Sequence, residues 1–154
     1  MKNKETVLPA PVLIVEDEAM IRSRLDLILS ELGYSQDMLI FAKNLAEAMQ
    51  IIASQPISLA LVDLGLPDGN GITLIEKLRG IDESALILVI SAWSTQQSLF
   101  ASIKAGANGY VLKERDDAEV LMSIRSILRG GAPIDPFIAR EILNQISTSN
   151  TPPN

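Results

Sequence analysis

The chain has 154 residues, 47% of them apolar, enough to fill one two-faced core with a short extension. Lys and Arg number 13 against 19 Asp and Glu, a formal net charge of −6, the wrong sign for a chain that would bind nucleic acid directly by itself. With no cysteine and no histidine, disulfides, thiolate metal sites, cysteine nucleophiles and phosphohistidine are excluded, and chemistry is left to carboxylates, hydroxyls, lysine and backbone.

Met1 to Pro11 hold two lysines and two prolines but no sustained apolar run, so residues 1–10 read as an N-terminal extension rather than a secretory signal. The first strand is expected at Val12 to Val15. A helix follows with Ile21, Leu25, Ile28, Leu29 and Leu32 on one face, stopped by Gly33. The second strand is expected at Met38 to Phe41. Its helix opens at Asn44 with Glu47 three residues on, a capping-box arrangement ahead of Ala48, Ile51 and Ile52.

Ile57 to Val62 predict the third strand, and the third helix runs from about Gly71 through Leu74, Ile75 and Leu78 to near Gly80. Leu86 to Ile90 predict the fourth strand, a run far too short to cross a bilayer. The fourth helix is expected over Thr95 to Lys104 with Leu99, Phe100 and Ile103 inward, ending at Gly106. Gly109 to Leu112 complete the strands. The fifth helix starts at Asp116 and buries Val120, Leu121, Ile124, Ile127 and Leu128. A cytoplasmic protein with no membrane contact is the expectation.

Strict strand–helix alternation with continuous apolar strands argues for a parallel sheet covered on both faces. Five units fit an α/β, flavodoxin-like (βα)5 doubly wound fold of strand order 2-1-3-4-5, spanning residues 11–130. Past Arg129, the breaker cluster Gly130-Gly131-Ala132-Pro133 opens a connector over residues 131–146. It carries a short C-terminal helix started by Asp135-Pro136, with Ile138, Ile142 and Ile146 on one face. Residues 147–154 are all Ser, Thr, Asn and Pro and read as a flexible linker or tail.

In such a sheet, ligands bind beyond the carboxyl ends of the strands, at the switch between the first and third. Glu16, Asp17 and Glu18 follow the first strand, and Asp63 ends the third. Clustered carboxylates repel unless a cation joins them, and an incomplete shell of oxygens suits Mg2+. An aspartate can also attack phosphorus to give an acyl phosphate, provided positive charge neutralises the transferring group. Ser91, ending the fourth strand, can offer a hydroxyl to a phosphoryl oxygen, and Lys113, ending the fifth, an ammonium. The glycine-rich loop from Leu64 to Gly71 can approach an ion closely, with the Gly65 carbonyl as a candidate ligand. Glu18 and Asp68 read as capping or turn acids.

The segments Val12-Leu13-Ile14-Val15-Glu16-Asp17-Glu18, Val62-Asp63 through Gly71, Ser91-Ala92 and Gly109-Tyr110-Val111-Leu112-Lys113 resemble the response-regulator receiver signature in order and spacing, over about residues 11 to 130. The resemblance implies that Asp63 is the phosphoacceptor. It implies that Asp17, Asp63 and the Gly65 carbonyl bind Mg2+ with Glu16 assisting through water, and that Ser91 and Lys113 bind the phosphoryl group. Tyr110 would be the aromatic that turns inward when Ser91 is drawn toward the phosphate.

The implied role is a two-component switch phosphorylated by a sensor histidine kinase or phosphotransfer protein, with homodimerisation possible. It catalyses only its own phosphorylation and dephosphorylation and is not otherwise an enzyme. Two departures stand out. Glu114 follows Lys113 where most receivers have proline, and Trp93 is bulkier than expected beside the phosphoryl site, where it would slow the access of water.

The stretch from Gly130 to Leu143 resembles the connector to a helix-turn-helix domain in the NarL/FixJ class with LuxR-type DNA-binding effectors. Transcriptional output is therefore expected through a C-terminal domain absent from this chain, which is read as a piece of a longer protein in preference to a single-domain receiver. Two other functions compete. A phosphorylation-independent interaction scaffold would not require the intact acidic set, and an aspartyl-phosphate phosphatase would want a second acid where Gly65 stands.

Overall fold

Short apolar runs, buried on both faces through most of their length, form the sheet. In the computed structural model, which describes residues 7–149, the strands are β1 (Val12–Val15), β2 (Leu39–Ala42), β3 (Leu59–Val62), β6 (Leu86–Ser91) and β7 (Gly109–Leu112). All pair in parallel, in the order β2-β1-β3-β6-β7. Two further labels, β4 (Gly65–Leu66) and β5 (Gly69–Asn70), belong to a two-residue antiparallel ladder in the loop after β3. Counting the five sheet strands alone, the order is the expected 2-1-3-4-5, and the fold is flavodoxin-like.

The helices are α1 (Ala19–Glu31), α2 (Leu45–Ser54), α3 (Gly71–Ile81), α4 (Gln96–Ala105), α5 (Asp117–Leu128) and α6 (Pro136–Ser149). Alternation along β1 divides the core. Leu13 and Val15 face a cluster with Leu74, Ile75, Leu78, Leu99 and Tyr110, while Val12 and Ile14 face Leu25, Ile28, Leu29, Val120 and Ile124. Each such aliphatic side chain stabilises the fold by about 1.5–3 kcal/mol on burial, so the doubly covered sheet is the rigid platform for what its ends carry.

Local signals act as the sequence predicts. Asn44 accepts from the Glu47 amide at 2.8 Å, and Thr95 and Asp116 cap α4 and α5 in the same way. The Glu47 carboxylate reaches back to the Lys43 amide at 2.8 Å, one residue before the cap. The N-terminus of α2 gains a second acid from outside, since Asp68 accepts from the amides of Leu45 at 2.7 Å and Ala46 at 2.9 Å.

Two expectations are corrected. Leu99 of α4 is buried as expected, but Phe100 and Ile103 are exposed and Ser102 is buried instead. The inward stripe is rotated by one residue because Ser102 donates to the Ser98 carbonyl at 2.8 Å, so its hydroxyl is satisfied inside. The C-terminal helix continues to Ser149, three residues into the expected tail, and on its predicted face Ile138 is buried while Ile146 is half exposed. The rest of that tail, and residues 1–6 of the N-terminal extension, lie outside the described residues. The remainder of the extension packs on the domain, where Tyr34 donates to the Pro9 carbonyl at 2.7 Å and Ser58 to that of Ala10 at 2.8 Å.

Before α6, the connector lies along the sheet edge. Ile134 bridges Tyr110 in parallel, the Tyr110 amide donates to the Pro133 carbonyl at 2.9 Å, and the Asp135 amide donates to the Tyr110 carbonyl at 2.9 Å. Asp135, 2% exposed, receives the Arg115 guanidinium through two hydrogen bonds of 2.7 Å and caps α6 by accepting from the Phe137 amide at 3.0 Å.

Candidate functional site

The strand register brings the predicted site together. Val15 stands opposite Val62, and Ser91 opposite Leu112, so the residues that follow them emerge side by side at one edge. Backbone hydrogen bonds continue the ladder one step further. The Asp63 amide donates to the Val15 carbonyl at 3.0 Å, Glu16 to Ala42 at 3.0 Å, and Lys113 to Ser91 at 2.9 Å.

Here Asp17, Glu18, Asp63, Gly65, Ala92, Trp93 and Lys113 line a depression of about 250 Å³. The Lys113 ammonium is shared, 3.0 Å from Asp63 and 2.9 Å from Glu16, with Glu18 at 3.5 Å. Asp63 is 5% exposed, and its other oxygen accepts weakly from the Gly65 amide at 3.3 Å.

Burial dominates the electrostatics of both inner acids. It pushes the Glu16 carboxyl up to about 7, against the pull of Lys113 and of the Glu18 amide, and it raises that of Asp63 as well. For Lys113 burial works against the charged form, but its hydrogen bonds to Glu16 and Asp63 prevail and hold it above the ordinary lysine value.

Glu16, Asp17 and Asp63 each offer a carboxylate oxygen, and these oxygens lie within 4.8 Å of one another. A single ammonium does not balance three carboxylates at that spacing. The set is all oxygen and Asp17 is exposed, which fits a hard divalent cation that keeps several waters.

Ser91 and Tyr110 stand behind the depression. Ser91 is fully buried and its hydroxyl accepts from the Trp93 amide at 3.0 Å. Tyr110, also fully buried, donates from its hydroxyl to the Trp93 carbonyl at 2.6 Å. The aromatic thus already occupies the inward position. Both residues reach the depression through the backbone of Trp93, the residue that closes one side of it.

Close approach explains two glycines. A Cβ on residue 65 would sit 3.2 Å from the Trp93 ring, so the indole lies against this backbone. A Cβ on residue 71 would meet the Asp63 carbonyl oxygen at 2.3 Å, so the loop after Asp63 closes only over glycine.

Three features escape the sequence reading. Glu18 lines the depression and is not a side-chain cap of α1. Trp93 touches Gly65. Two arginines of α1 grip site backbone, Arg22 donating to the Glu16 carbonyl at 2.9 Å and Arg24 to the Lys113 carbonyl at 2.9 Å. The acceptors in these two contacts are main-chain atoms, which no residue-type pattern reveals. The peptide after Lys113 is trans, since the one cis bond among the described residues is Ala10–Pro11.

Comparison with known proteins agrees with this geometry. The family model described as "Response regulator receiver domain" matches residues 12–125. The Fimbriae Z protein of Salmonella typhimurium is 29% identical over 144 residues, 94% of this chain and 66% of its own. The Transcriptional regulatory protein PhoP of Escherichia coli is 35% identical over 118 residues, 77% of this chain and 52% of its own. A two-component response regulator of the LuxR family from Aurantimonas superposes with a TM-score of 0.75 at 27% identity, covering 90% of this chain and 99% of that one. A CheY-like receiver domain protein from Methanospirillum hungatei gives 0.70 at 27% identity, covering 77% and 93%. The chain spans about half to two thirds of the length of these curated relatives.

Proposed function

The chain belongs to the response regulator receiver domain family of two-component signalling, and from that premise we propose that Asp63 accepts a phosphoryl group and that the resulting change in packing is the signal. The observation that carries this reading is the setting of Asp63, nearly buried, 3.0 Å from the Lys113 ammonium and grouped with Glu16 and Asp17.

In the transfer, an Asp63 carboxylate oxygen forms a bond to phosphorus while the bond from phosphorus to the donor breaks, the electron pair leaving with the donor. Lys113 neutralises a phosphoryl oxygen, and burial keeps that interaction strong by excluding water. Mg2+ would be held by Asp17, Asp63 and the Gly65 carbonyl with Glu16 assisting through water, and when bound it supplies charge neutralisation at the phosphoryl oxygens. The Ser91 hydroxyl, now on the Trp93 amide, is the group free to turn toward the new phosphate, and Tyr110 is the residue whose bond to Trp93 registers the change.

Receivers of this family interact with histidine kinases, and the donor here is a sensor histidine kinase or a phosphotransfer protein. The chain is a phosphoacceptor that promotes its own phosphorylation and hydrolysis without turning over an external product; a glycine two residues after Asp63 leaves no second acid there. The output is transcriptional, exerted in the cytoplasm through a DNA-binding domain beyond this chain. The relation to a LuxR-family regulator and to a transcriptional regulatory protein supports this. Among the described residues no helix is long and apolar enough to cross a membrane.

Incubation with acetyl phosphate and Mg2+, followed by intact-mass measurement, tests the reading. The expected result is a gain of one phosphoryl group that disappears with chelator and in Asp63→Asn. No gain in the wild-type chain overturns it and leaves a phosphorylation-independent scaffold; a gain that survives in Asp63→Asn overturns it by placing the acceptor elsewhere.

A further inference from the structure

Lys113 is placed only as well as the loop that carries it. Residues 113–116 connect β7 to α5, and Lys113 must hold its ammonium between two buried carboxylates. The loop has no proline to stiffen it, since Glu114 follows the lysine.

Arg24 supplies the constraint from a different element. It lies in α1 with its side chain 21% exposed, and its guanidinium donates to the Lys113 carbonyl at 2.9 Å, to the Arg115 carbonyl, and to the Asp117 carboxylate. Two carbonyls of the loop and the first residue of α5 are thus held by one planar fork, a geometry that lysine cannot reproduce. The same helix holds the other half of the ion pair, because Arg22 donates to the Glu16 carbonyl at 2.9 Å. One element therefore grips the backbone on both sides of the Glu16–Lys113 contact.

Resting on the reading of Asp63 as phosphoacceptor, we propose that Arg24 is a positioning residue for phosphoryl transfer: it fixes the backbone of Lys113, and through it the ammonium on Asp63, without touching the reacting atoms. Misplacing a charge-neutralising group by about an ångström costs up to roughly a hundredfold in rate, so loss of one of several restraints on it is expected to cost about tenfold.

The test is a double-mutant cycle on the full chain, with the rate of labelling by acetyl phosphate and Mg2+ followed by intact mass. Arg24→Ala slows labelling about tenfold in the wild-type background and less than about twofold in Lys113→Met, where no ammonium remains to be placed. Arg24→Lys falls between wild type and Arg24→Ala, and it carries the cycle if the alanine variant melts below the assay temperature. Asp117→Ala, which removes the exposed ion pair and leaves both carbonyl contacts, labels at the wild-type rate.

Without metal or phosphodonor, amide exchange at residues 114–116 is faster in Arg24→Ala, while exchange in β3 is unchanged. Equal slowing in both backgrounds, no slowing, or unchanged loop exchange overturns the proposal while labelling of wild type at Asp63 stands. A wild-type chain that takes no phosphoryl group removes the proposal together with the reading it rests on.

Discussion

The Lys113 ammonium lies 3.0 Å from the Asp63 carboxylate, and no other lysine or arginine among the described residues lies within ion-pair distance of that carboxylate. Replacing it by methionine leaves two buried carboxylates facing each other. Lys113→Met is expected to lose about 2 kcal/mol of stability in chelator and to slow phosphoryl transfer roughly a hundredfold. Thermal melts and acetyl phosphate labelling check the two effects separately.

Glu16 makes stability depend on pH. Its carboxyl is raised from 4.5 to about 7 by burial, so the folded chain binds a proton that the unfolded chain has released in that interval. Its contribution to stability is therefore present below about pH 4.5 and declines as pH rises toward 7. In chelator, Glu16→Gln flattens this decline in melting temperature. Mg2+ is expected to oppose it in the wild type, because a cation bound beside Glu16 favours the charged carboxylate; an ion at 100 times its dissociation constant would add about 2.7 kcal/mol.

Trp93 is the sole tryptophan of the chain and lies against Gly65, so intrinsic fluorescence reports the depression directly. Mg2+ or acetyl phosphate changes its emission, and Asp63→Asn suppresses the acetyl phosphate response. Because Trp93 lines the depression beside Asp63, the proposed acyl phosphate would be partly shielded from water by the indole. Trp93→Ala is expected to shorten the phosphorylated lifetime about threefold to tenfold, on the scale of losing one water-excluding group; an unchanged hydrolysis rate of the purified phosphorylated form refutes that role.

Asp135 joins the connector to the loop after β7. Although burial disfavours its charge, the Arg115 guanidinium and the Phe137 amide outweigh it and hold the carboxyl below the ordinary value. This stabilisation is present above the ordinary aspartate range and is lost as pH falls through the depressed value. Asp135→Asn costs about 2 kcal/mol near neutrality. The difference in melting temperature from wild type narrows as pH is lowered toward 3, with circular dichroism at each pH as the measurement.

The fold was legible because its signals are local: continuous apolar runs, capping residues such as Asn44 and Asp116, and glycines that stop helices. The acid site is legible for a related reason, since Glu16, Asp63 and Lys113 directly follow strands whose order the alternation predicts, and Asp17 comes one residue later. Residues whose partners are distant were hidden. Nothing near Arg24 in the sequence points to carbonyls 89 and 91 positions away. On α4 hydropathy identifies Leu99 but also favours Phe100 and Ile103, whereas a serine bonded to its own helix fills the other buried position.

The connector along β7 has a consequence for handling the protein. An open strand presents unpaired amides and carbonyls that template association with another chain. Residues 133–135 occupy that position through both polar groups of Tyr110, and Ile138 covers the apolar surface beside it. A chain trimmed at the end of α5, where the repeating strand–helix pattern stops, would uncover both polar groups of Tyr110 and the apolar surface under Ile138.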